Sequence, residues 1–546
     1  MSGSFTRQLG QQPGTQLNPM QDQSGQTGNL GTWDQTVALA MRATRGRIDR
    51  PFVVRLSDFK RKLGKPQSMA TNAANEAMVV AYECLRKGAS SLVVQRLVDG
   101  AQDVKWVVFT SDAASTFTTE DAEPADADDF TFAFQHMLCH GDGIKVSVHA
   151  DAVATGSGPA AAQVLTVKVL DANGDELHSV TGSLDPAAQD DSGLSLYLPD
   201  VSERFLGDVL KWKIKGGAEV APTHDSYGKS AGAPRWASSS LLTAFTEGGS
   251  TYSTQAYEAA RTALANTDLD FGHIISAGCR SVAFITQLIE LGYTRNRQVI
   301  IDVPGELSAD QARAWVAQFD AGDPGHDWFP QFYWAPIKAL DPMNGGMAVF
   351  GTSGNQAGQR CARNAVVNAY GFAGKNRPIA GRDYPLGRTA ARLVFAPTTS
   401  WDDVRSDLAQ AKINPVLPET YADGSLIVFG DCLTAAKTTT SYRKLVSVAE
   451  MASHLDEMVA RLDQQTRFLP QAEKKRFVER KLETIFSQAT ASGWLTVGQD
   501  LEGKDIAPYE YQVTTQPVNA VDTLHITYWL HYDGCNRRTE ITQILH

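Results

Sequence analysis

The spacing of apolar residues along the chain switches between the period of a strand and that of a helix. Runs rich in valine, isoleucine and leucine predict four buried strands, at residues 36–44, 51–56, 91–98 and 298–303. Apolar residues three or four positions apart predict a helix over Asn72–Lys87, and Gly88 stands where a helix commonly ends. Strands that alternate with helices favour an α/β architecture.

The second half of the sequence continues this alternation. The predicted elements are a helix capped by Ser308, a helix over 400–415 that ends near Asn414-Pro415, a strand at 425–430, two long amphipathic helices (Tyr442–Gln464 and one that Pro470 begins), and strands at 523–532 and 539–545. The fold class predicted from these elements is a multidomain α+β or α/β protein.

Two stretches differ in amino-acid composition from these α/β parts. An acidic stretch rich in alanine, at 118–129, leads into short strands with turn signals such as Asn173-Gly174, which predicts an inserted β-rich domain over 120–235. Residues 1–31 are rich in glutamine, glycine and serine and cannot build a core. They are either a floppy tail or an arm that becomes ordered on a neighbour.

Composition narrows the function classes. Of 546 residues, 42% are hydrophobic, and 50 Lys and Arg stand against 61 Asp and Glu, a net charge of −11. This balance argues against a broad nucleic-acid-binding surface, which needs clustered cations. We expect no direct membrane insertion, because no apolar run reaches about 18 residues, and no secretory signal in Met1–Gly31. The six scattered cysteines do not predict a disulfide framework, and we expect most of them to be buried thiols in a reducing compartment.

Two motifs resemble parts of enzyme sites but lack a required residue. Gly228-Lys229-Ser230 has Thr223 where a phosphate-binding loop needs glycine, so we expect a surface loop. Gly351-Thr352-Ser353-Gly354 lacks the spacing of a serine nucleophile elbow, and we expect a glycine-rich loop there.

Two clusters of metal-ligand types also fall short. His136, Cys139 and His140, with His149 nearby, would be split between two faces of a strand, so we expect a mixed buried and exposed face. The series Asp171, Asn173, Asp175 resembles the start of a calcium loop, but Glu176 occupies the glycine position and a hairpin turn explains the same residues. We therefore predict no catalytic, cofactor-binding or metal-binding residues.

The order of the segments resembles that of the contractile tail sheath proteins of myophages and related injection machines, over about 32–110 and 240–546. A stretch over Gly374–Arg388 matches that family poorly. The segments that carry the resemblance are Arg45-Gly46, Pro51, Val53, Ser57, Phe59, Gly64, the helix at 72–87, Gln95–Val98, Ser276–Gly278, Ile300–Pro304, Ser308, Ala312, Trp328–Pro330, Ala335-Pro336, Lys412–Pro415, Leu426–Gly430 and Leu433-Thr434.

The resemblance implies a structural protein of a virion, assembled in the host bacterial cytoplasm, that needs no cofactor. Many copies would polymerise as a helical sheath around a tail tube and contract to drive the tube through an envelope. Its partners would be other copies of itself, the tail tube protein, and baseplate and tail-terminator proteins. The alternatives are a sheath-like baseplate or tail-terminator component and an α/β enzyme with an unrecognised site.

The resemblance also implies a division of the chain and a set of interface residues. The expected parts are an N-terminal arm (1–31), a first core part (32–119), an outer β-rich insertion (120–235), a middle α/β domain (236–400), an inner domain (401–536) and a C-terminal arm (537–546).

Within the inner domain, the helix from Tyr442 is the expected tube-facing element. Arg443 and Lys444, two cations at the N-terminus of this helix, either bind a partner carboxylate or form a solvated charged helix end. Arm exchange is expected to place Ile541 and Leu545 of one copy on the strand Leu524–Tyr532 of another copy. Four residues of that strand share one face: Leu524, Ile526, Tyr528 and Leu530. The alternative is that the terminal segments are fraying tails. Residues Gly25–Gly31 and Asp533–Asn536 have the composition of hinges.

Overall fold

The computed structural model describes residues 33–71, 73–111, 115–150, 163–220, 236–249, 251–319, 326–394, 401–466, 468–499, 503–515, 524–539 and 542–543. Within these ranges the helices are α1 (Phe59–Leu63), α2 (Glu76–Lys87), α3 (Leu198–Leu206), α4 (Thr254–Asn266), α5 (Val282–Arg295), α6 (Ala309–Val316), α7 (Ser353–Asn364), α8 (Trp401–Gln410), α9 (Val446–Thr466) and α10 (Gln471–Ala491).

The strands of the same ranges are β1 (Thr36–Met41), β2 (Phe52–Val54), β3 (Ser91–Arg96), β4 (Asp103–Val104), β5 (Trp106–Thr110), β6 (Thr116–Glu120), β7 (Phe132–His136), β8 (Ile144–Ala150), β9 (Leu165–Asp171), β10 (Glu176–Gly182), β11 (Leu210–Ile214), β12 (Ala237–Ser238), β13 (Phe245–Thr246), β14 (His273–Ile275), β15 (Gln298–Val303), β16 (Pro330–Trp334), β17 (Ile337–Leu340), β18 (Met347–Val349), β19 (Arg392–Leu393), β20 (Ile413–Tyr421), β21 (Gly424–Phe429), β22 (Gly498–Gln499), β23 (Asp505–Ile506), β24 (Tyr509–Thr515) and β25 (Leu524–Leu530).

A central eight-stranded sheet organises the molecule, in the order β2-β3-β1-β14-β15-β16-β20-β21. Its six inner strands are parallel, and β2 and β21 close the two edges in antiparallel pairing. Every residue of β15 is buried, as expected for a parallel strand covered on both faces. The predicted strands at 36–44, 298–303 and 425–430 are therefore confirmed and lie in one sheet.

Helices cover both faces of the central sheet, because alternate residues of each strand point to opposite sides. Val37 and Leu39 of β1 face the core that α2 and α7 cover, whereas Ala38 and Ala40 face the core that α4, α5, α6 and α8 cover. Helix α6 begins as predicted, since the Ser308 hydroxyl accepts from the Gln311 amide in a complete capping box.

The chain between β3 and α4 forms a body of its own, here called the β unit (103–246). Two four-stranded antiparallel sheets, β10-β9-β8-β12 and β11-β7-β5-β6, enclose an apolar core. Strands β4 and β5 precede the boundary expected at 120, β6 reaches it, and β12 and β13 follow the boundary expected at 235. Sequence reasoning assigned β5 to the first core part, but β5 pairs with β7 and cannot leave the β unit without opening that sheet.

Helices α9 and α10 and the hairpin β24–β25 form the C-terminal part, which has its own apolar cluster around Phe486 and Trp494. The predicted helices are confirmed, but the first begins at Val446, after a separate 3-10 turn over Tyr442–Lys444.

Two other predictions are wrong in part. Helix α8 ends at Gln410, and Asn414-Pro415 lies inside strand β20, where Pro415 pairs beside Trp334 of β16. The Asn414 side chain bonds to Leu433 and to the Phe332 carbonyl, and no local pattern announces these long-range bonds. Thr539 is not part of a strand, and most of the predicted strand at 539–545 lies outside the described residues.

Candidate assembly surfaces

The first described residues, here called the N-terminal root (Trp33–Asp34), are fixed by buried charges. The Asp34 carboxylate accepts from Lys375 Nζ at 2.8 Å and lies 3.2 Å from His454 Nδ1 of α9. Burial alone would raise the pKa of Asp34, but Lys375 and His454 hold it well below its usual range. The Trp33 ring stacks on His454 with 5.3 Å between ring centres. The N-terminal root is therefore held on the body by buried ionic and aromatic contacts.

A second buried charge cluster ties α9 to the central body. Glu450 of α9 accepts from Arg363 of α7 at 3.0 Å, and Arg360 lies 3.5 Å away. Burial would raise the pKa of Glu450, but the two guanidinium groups lower it to about 2. Helix α9 is thus held at Glu450 and His454, one turn apart, on the face that meets the central sheet.

The segment that follows β25, here called the C-terminal root (Asp533–Arg537), is also fixed. The Asp533 amide donates to the Trp494 carbonyl at 2.9 Å. Arg537 forms a two-pronged pair with Asp431, at the end of β21. The composition of 533–536 predicted a hinge, but the segment is packed against the body, with Gly534 in close contact with Tyr442.

Both roots meet at one tryptophan. His454, which stacks on Trp33, also contacts the Trp494 ring, with 5.3 Å between ring centres. The Trp494 carbonyl holds the C-terminal root, and its indole N–H donates to the Ala373 carbonyl at 2.9 Å. The N-terminal root and the C-terminal root therefore lie at neighbouring positions on the body.

The hairpin β24–β25 lies beside these roots. The four predicted acceptor residues do share its inner face and pack on the C-terminal cluster: Leu524, Ile526, Tyr528 and Leu530. Tyr528 donates to Asp456 of α9, and Tyr509 donates to Glu483 of α10 at 2.7 Å. Among the described residues, neither strand pairs with a third strand. Directly after β25, Tyr532 forms a single antiparallel bridge with Leu495. Within Tyr509–Thr515 and Leu524–Leu530, the outer edges of the hairpin have no strand partner in this part of the chain. Ile541 and Leu545 lie outside the described residues.

Arg443 and Lys444 lie in the 3-10 turn that precedes α9. The Ser441 hydroxyl accepts from the Arg443 amide at 3.3 Å, and Asp327 accepts from the Arg443 guanidinium. Lys444 donates to the Thr439 carbonyl. The expectation of two cations at a helix N-terminus is therefore wrong, and Arg443 has a carboxylate partner within its own chain.

Lys444 lines a basic cleft of about 1010 Å³ between α6, α8 and the C-terminal root. Its charged lining residues are Arg313, Asp402, Arg405, Asp431, Lys437, Lys412, Lys444, Arg537 and Arg538. Burial, followed by repulsion from Arg537 and Lys444, lowers the pKa of Lys412. On a protein of net charge −11, this cleft is a local concentration of positive charge.

The carboxyl end of the central sheet is where an α/β enzyme would bind its substrate. There Asp302, at the end of β15, accepts from the amides of Gly278 at 2.8 Å, Thr352 at 2.6 Å and Ser353 at 2.7 Å. The cavity beside it measures about 10 Å³, the room of a single water. This end of the sheet is filled by the loops that the Asp302 carboxylate holds together.

Three of the motifs noted in the sequence lie at the ends of regular elements or in turns. Ser353 is buried at the start of α7 and donates to Asp302, so the expected glycine-rich loop is a helix N-terminus. His136, Cys139 and His140 are all buried, and the expected mixed face is wrong because a turn follows β7. Asp171 makes the predicted hairpin turn by accepting from the Asn173 and Asp175 amides. Residues 228–230 lie outside the described part.

The described residues contain neither a membrane-spanning helix nor a cluster of metal-ligand side chains. No helix among them is long and apolar enough to cross a membrane. No three or more histidine, cysteine, aspartate or glutamate side chains in that part of the chain are grouped to hold a metal ion.

Sequence reasoning missed the residues that fix the two roots. Asp34 and Lys375 are 341 positions apart, and Asp431 and Arg537 are 106 apart. No local pattern links such distant residues. The one available signal was the charge of Asp34 and Lys375 within otherwise apolar or glycine-rich surroundings.

Comparison with known proteins gives structural neighbours only. No family model and no curated protein matches the sequence. The fold is similar to a sheath tail protein from Desulfitobacterium hafniense, with 13% identity and a TM-score of 0.47 over 95% of this chain and 100% of that one. The fold is also similar to a contracted PVC sheath complex of an extracellular contractile injection system, with 16% identity and a TM-score of 0.41 over 56% of this chain and 75% of that one. It is similar as well to the anti-feeding prophage baseplate, with 11% identity and a TM-score of 0.40 over 56% of this chain and 77% of that one. The neighbours are thus a sheath tail protein and parts of contractile injection systems.

Proposed function

We propose that this protein is the sheath subunit of a contractile tail, which polymerises around a tail tube and contracts. The observation that carries the proposal is the meeting of both chain roots at Trp494, beside a hairpin whose edges lack a strand partner among the described residues. Arms that leave adjacent points can reach neighbours in a regular lattice without disturbing the body between them.

Strand addition is the proposed link between copies. An arm can bind strongly to an open strand edge through backbone hydrogen bonds, with few demands on its side chains. The inner face of β25 is already covered by the C-terminal cluster, so an added strand would extend a sheet that is anchored to α9 and α10. Because both roots are held by contacts with the body, neither root is proposed as the joint between an arm and the body.

Truncation tests this link. We expect subunits that lack 1–28 or 538–546 to fold but not to polymerise; the second deletion spares Arg537 and its pair with Asp431. Circular dichroism and thermal unfolding check the fold, and sedimentation with electron microscopy checks the polymer. Tubes of normal length from either truncation would reject arm exchange for that end of the chain.

The tube-facing surface is proposed to include the turn at Arg443 and Lys444 and the adjoining basic cleft. A partner with clustered carboxylates would relieve the repulsion among the cleft cations. Because Arg443 pairs with Asp327, reversing Arg443 alone would also break a contact within the subunit.

A charge-swapped pair separates these two effects. The variant Arg443→Glu/Asp327→Arg keeps the internal ion pair and the net charge but exchanges the positions of the two charges. We expect it to fold like the wild type and to bind the tube more weakly, as Lys444→Glu should, with a smaller salt dependence. Unchanged tube binding in both variants would reject this surface.

The β unit is proposed to lie on the outside of the sheath and to be dispensable for the body. Val104 and Phe245 are antiparallel neighbours, so a short Gly-containing turn can replace 105–244 without opening a sheet of the central body. We expect a soluble, folded product that still forms tubes. Insoluble product with several turn lengths would argue that the β unit belongs to the core.

Electron microscopy of the purified protein separates this proposal from its alternatives. Striated tubes or short contracted sleeves are the expected result. Isolated rings would indicate a baseplate or tail-terminator component, and a compact monomer with turnover of a substrate would indicate an enzyme.

A further inference from the structure

Two cysteines far apart in sequence come together at the C-terminal root. The sulfur of Cys432, which follows β21, lies 3.5 Å from the sulfur of Cys535, and 103 positions separate them along the chain. Both are free thiols. Cys432 is buried, whereas Cys535 is half-buried and can be reached from solvent.

The backbone on each side of this pair is held in place. The Cys432 carbonyl accepts from the Val446 amide at 3.0 Å, and the next residue, Leu433, donates to Asn414 at 2.6 Å. The segment that carries Cys535 is fixed by Asp533 on one side and by the Arg537 pair with Asp431 on the other. The short distance between the sulfurs is therefore built into the fold.

The surroundings also favour a reactive thiolate at Cys535. The pKa of Cys535 is lowered to about 7, and the largest cause is the hydrogen bond from Cys432. The Ser447 hydroxyl and the Arg537 guanidinium act in the same direction, whereas burial opposes them. The same hydrogen bond raises the pKa of Cys432. By contrast, burial raises the pKa of the half-buried Cys279 to about 11.

We propose that Cys432 and Cys535 are a redox-active pair, which a low-molecular-weight disulfide converts into an intramolecular disulfide that locks the C-terminal root onto the end of β21. The Cys535 thiolate attacks one sulfur of the small disulfide and displaces one thiolate. Cys432 then loses its proton, attacks the Cys535 sulfur of the mixed disulfide and displaces the second thiolate. Two protein thiols are oxidised, one small disulfide is reduced to two thiols, and a reductant reverses the exchange.

The sulfurs already lie close to bonding distance. A disulfide places its sulfurs about 2 Å apart, and these two lie 3.5 Å apart. The closed loop would contain α9, α10 and the hairpin. A reducing cytoplasm would keep the pair open, and an oxidising medium would close it. The inference concerns the single subunit and does not depend on the proposed sheath function.

The test uses the full-length folded subunit before any polymerisation. The protein is incubated with glutathione disulfide at pH 7, quenched by acid and alkylation, and digested without reduction for mass spectrometry. We expect a peptide pair that joins Cys432 to Cys535 in the wild type and in the control Cys279→Ser, reversed by dithiothreitol. Neither Cys432→Ser nor Cys535→Ser should give it.

Two further measurements, of alkylation rate and of amide hydrogen exchange, make the result decisive. In the reduced protein, Cys535 should be alkylated several-fold faster than Cys279 at pH 7. On oxidation, amide hydrogen exchange over 533–537 should slow in the wild type and in Cys279→Ser but not in Cys432→Ser. The proposal is overturned if the folded wild type yields no linked peptide, if Cys535 stops at the glutathione adduct, or if Cys279 reacts first.

Discussion

Acidification should weaken the junction between the β unit and the central body, and His140 offers a sharp test. This histidine is buried in the turn after β7, where the Gly141 amide donates to the Thr44 carbonyl and the Cys139 carbonyl accepts from Arg96 at 2.6 Å. Its Nδ1 lies 4.0 Å from an Asp142 oxygen. The charged and titratable groups around it are Arg45, Arg96, Asp142, His136 and His178.

The magnitude follows from the ionisation of His140. Burial, assisted by the positive charge of Arg45, lowers its pKa to about 3, against about 6.5 in the unfolded chain. Between these values the unfolded state binds the proton and the folded state does not, so stability is lost as pH falls below 6.5. At pH 5, which lies about 1.5 units below the unfolded pKa, protonation of His140 in the unfolded chain lowers the free energy of unfolding by roughly 2 kcal/mol.

Replacing His140 with glutamine should remove that part of the pH dependence. Urea unfolding of the wild type and of His140→Gln is followed by circular dichroism at pH 5.0, 6.0 and 7.5, with His525→Gln, an exposed residue of β25, as the matched control. Between pH 7.5 and 5.0 the wild type and the control should lose about 2 kcal/mol more than His140→Gln. Parallel pH profiles for all three proteins would refute the assignment of a neutral, buried His140.

Three further predictions concern the central body. Gly354→Ala should destabilise by about 1–3 kcal/mol in urea unfolding, because an added methyl would lie 2.1 Å from the Val80 carbonyl oxygen; an unchanged midpoint would contradict the close contact of α2 and α7. Lys375→Met should cost about 3–5 kcal/mol by leaving Asp34 buried without its cation, and Lys375→Met/Asp34→Asn should recover part of that loss. Burial raises the pKa of Glu76 to about 8. The stability that its protonated form contributes is therefore lost as pH rises from about 4.5 to 8. In Glu76→Gln the free energy of unfolding should fall less steeply over this pH range, and an unchanged slope would contradict the raised pKa.

Sequence patterns determined the elements whose signal lies within the element itself. Strand β15 is a short run of apolar residues, and this pattern predicts a strand without showing which strands it pairs with. Helix α6 has its cap within three residues of its start, so Ser308 and Gln311 predict it without reference to the rest of the chain. The alternation along β25 predicted which of its residues face inward, because strand periodicity is a property of the backbone.

Tertiary structure decided what depends on partners far along the chain. Residues 413–421 join β20 because β16 offers an edge for Ile413 to pair with Phe332, and this overrides the expected helix end at Asn414-Pro415. The limits of the β unit are set by pairings such as β5 with β7, which the acidic stretch at 118–129 does not reveal. Local composition predicted a hinge at 533–536, and packing against Trp494 removed it.

The charges and thiols that fix the two roots belong to the same class. Asp34 is buried as an anion because Lys375 and His454 reach it from distant segments, and Cys535 owes its lowered pKa to Cys432 on another part of the chain. Sequence alone assigns such residues their ordinary chemistry, since burial and the identity of a partner exist only once the chain has closed on itself. The element pattern is therefore readable from the sequence, whereas the properties of these roots are consequences of the fold.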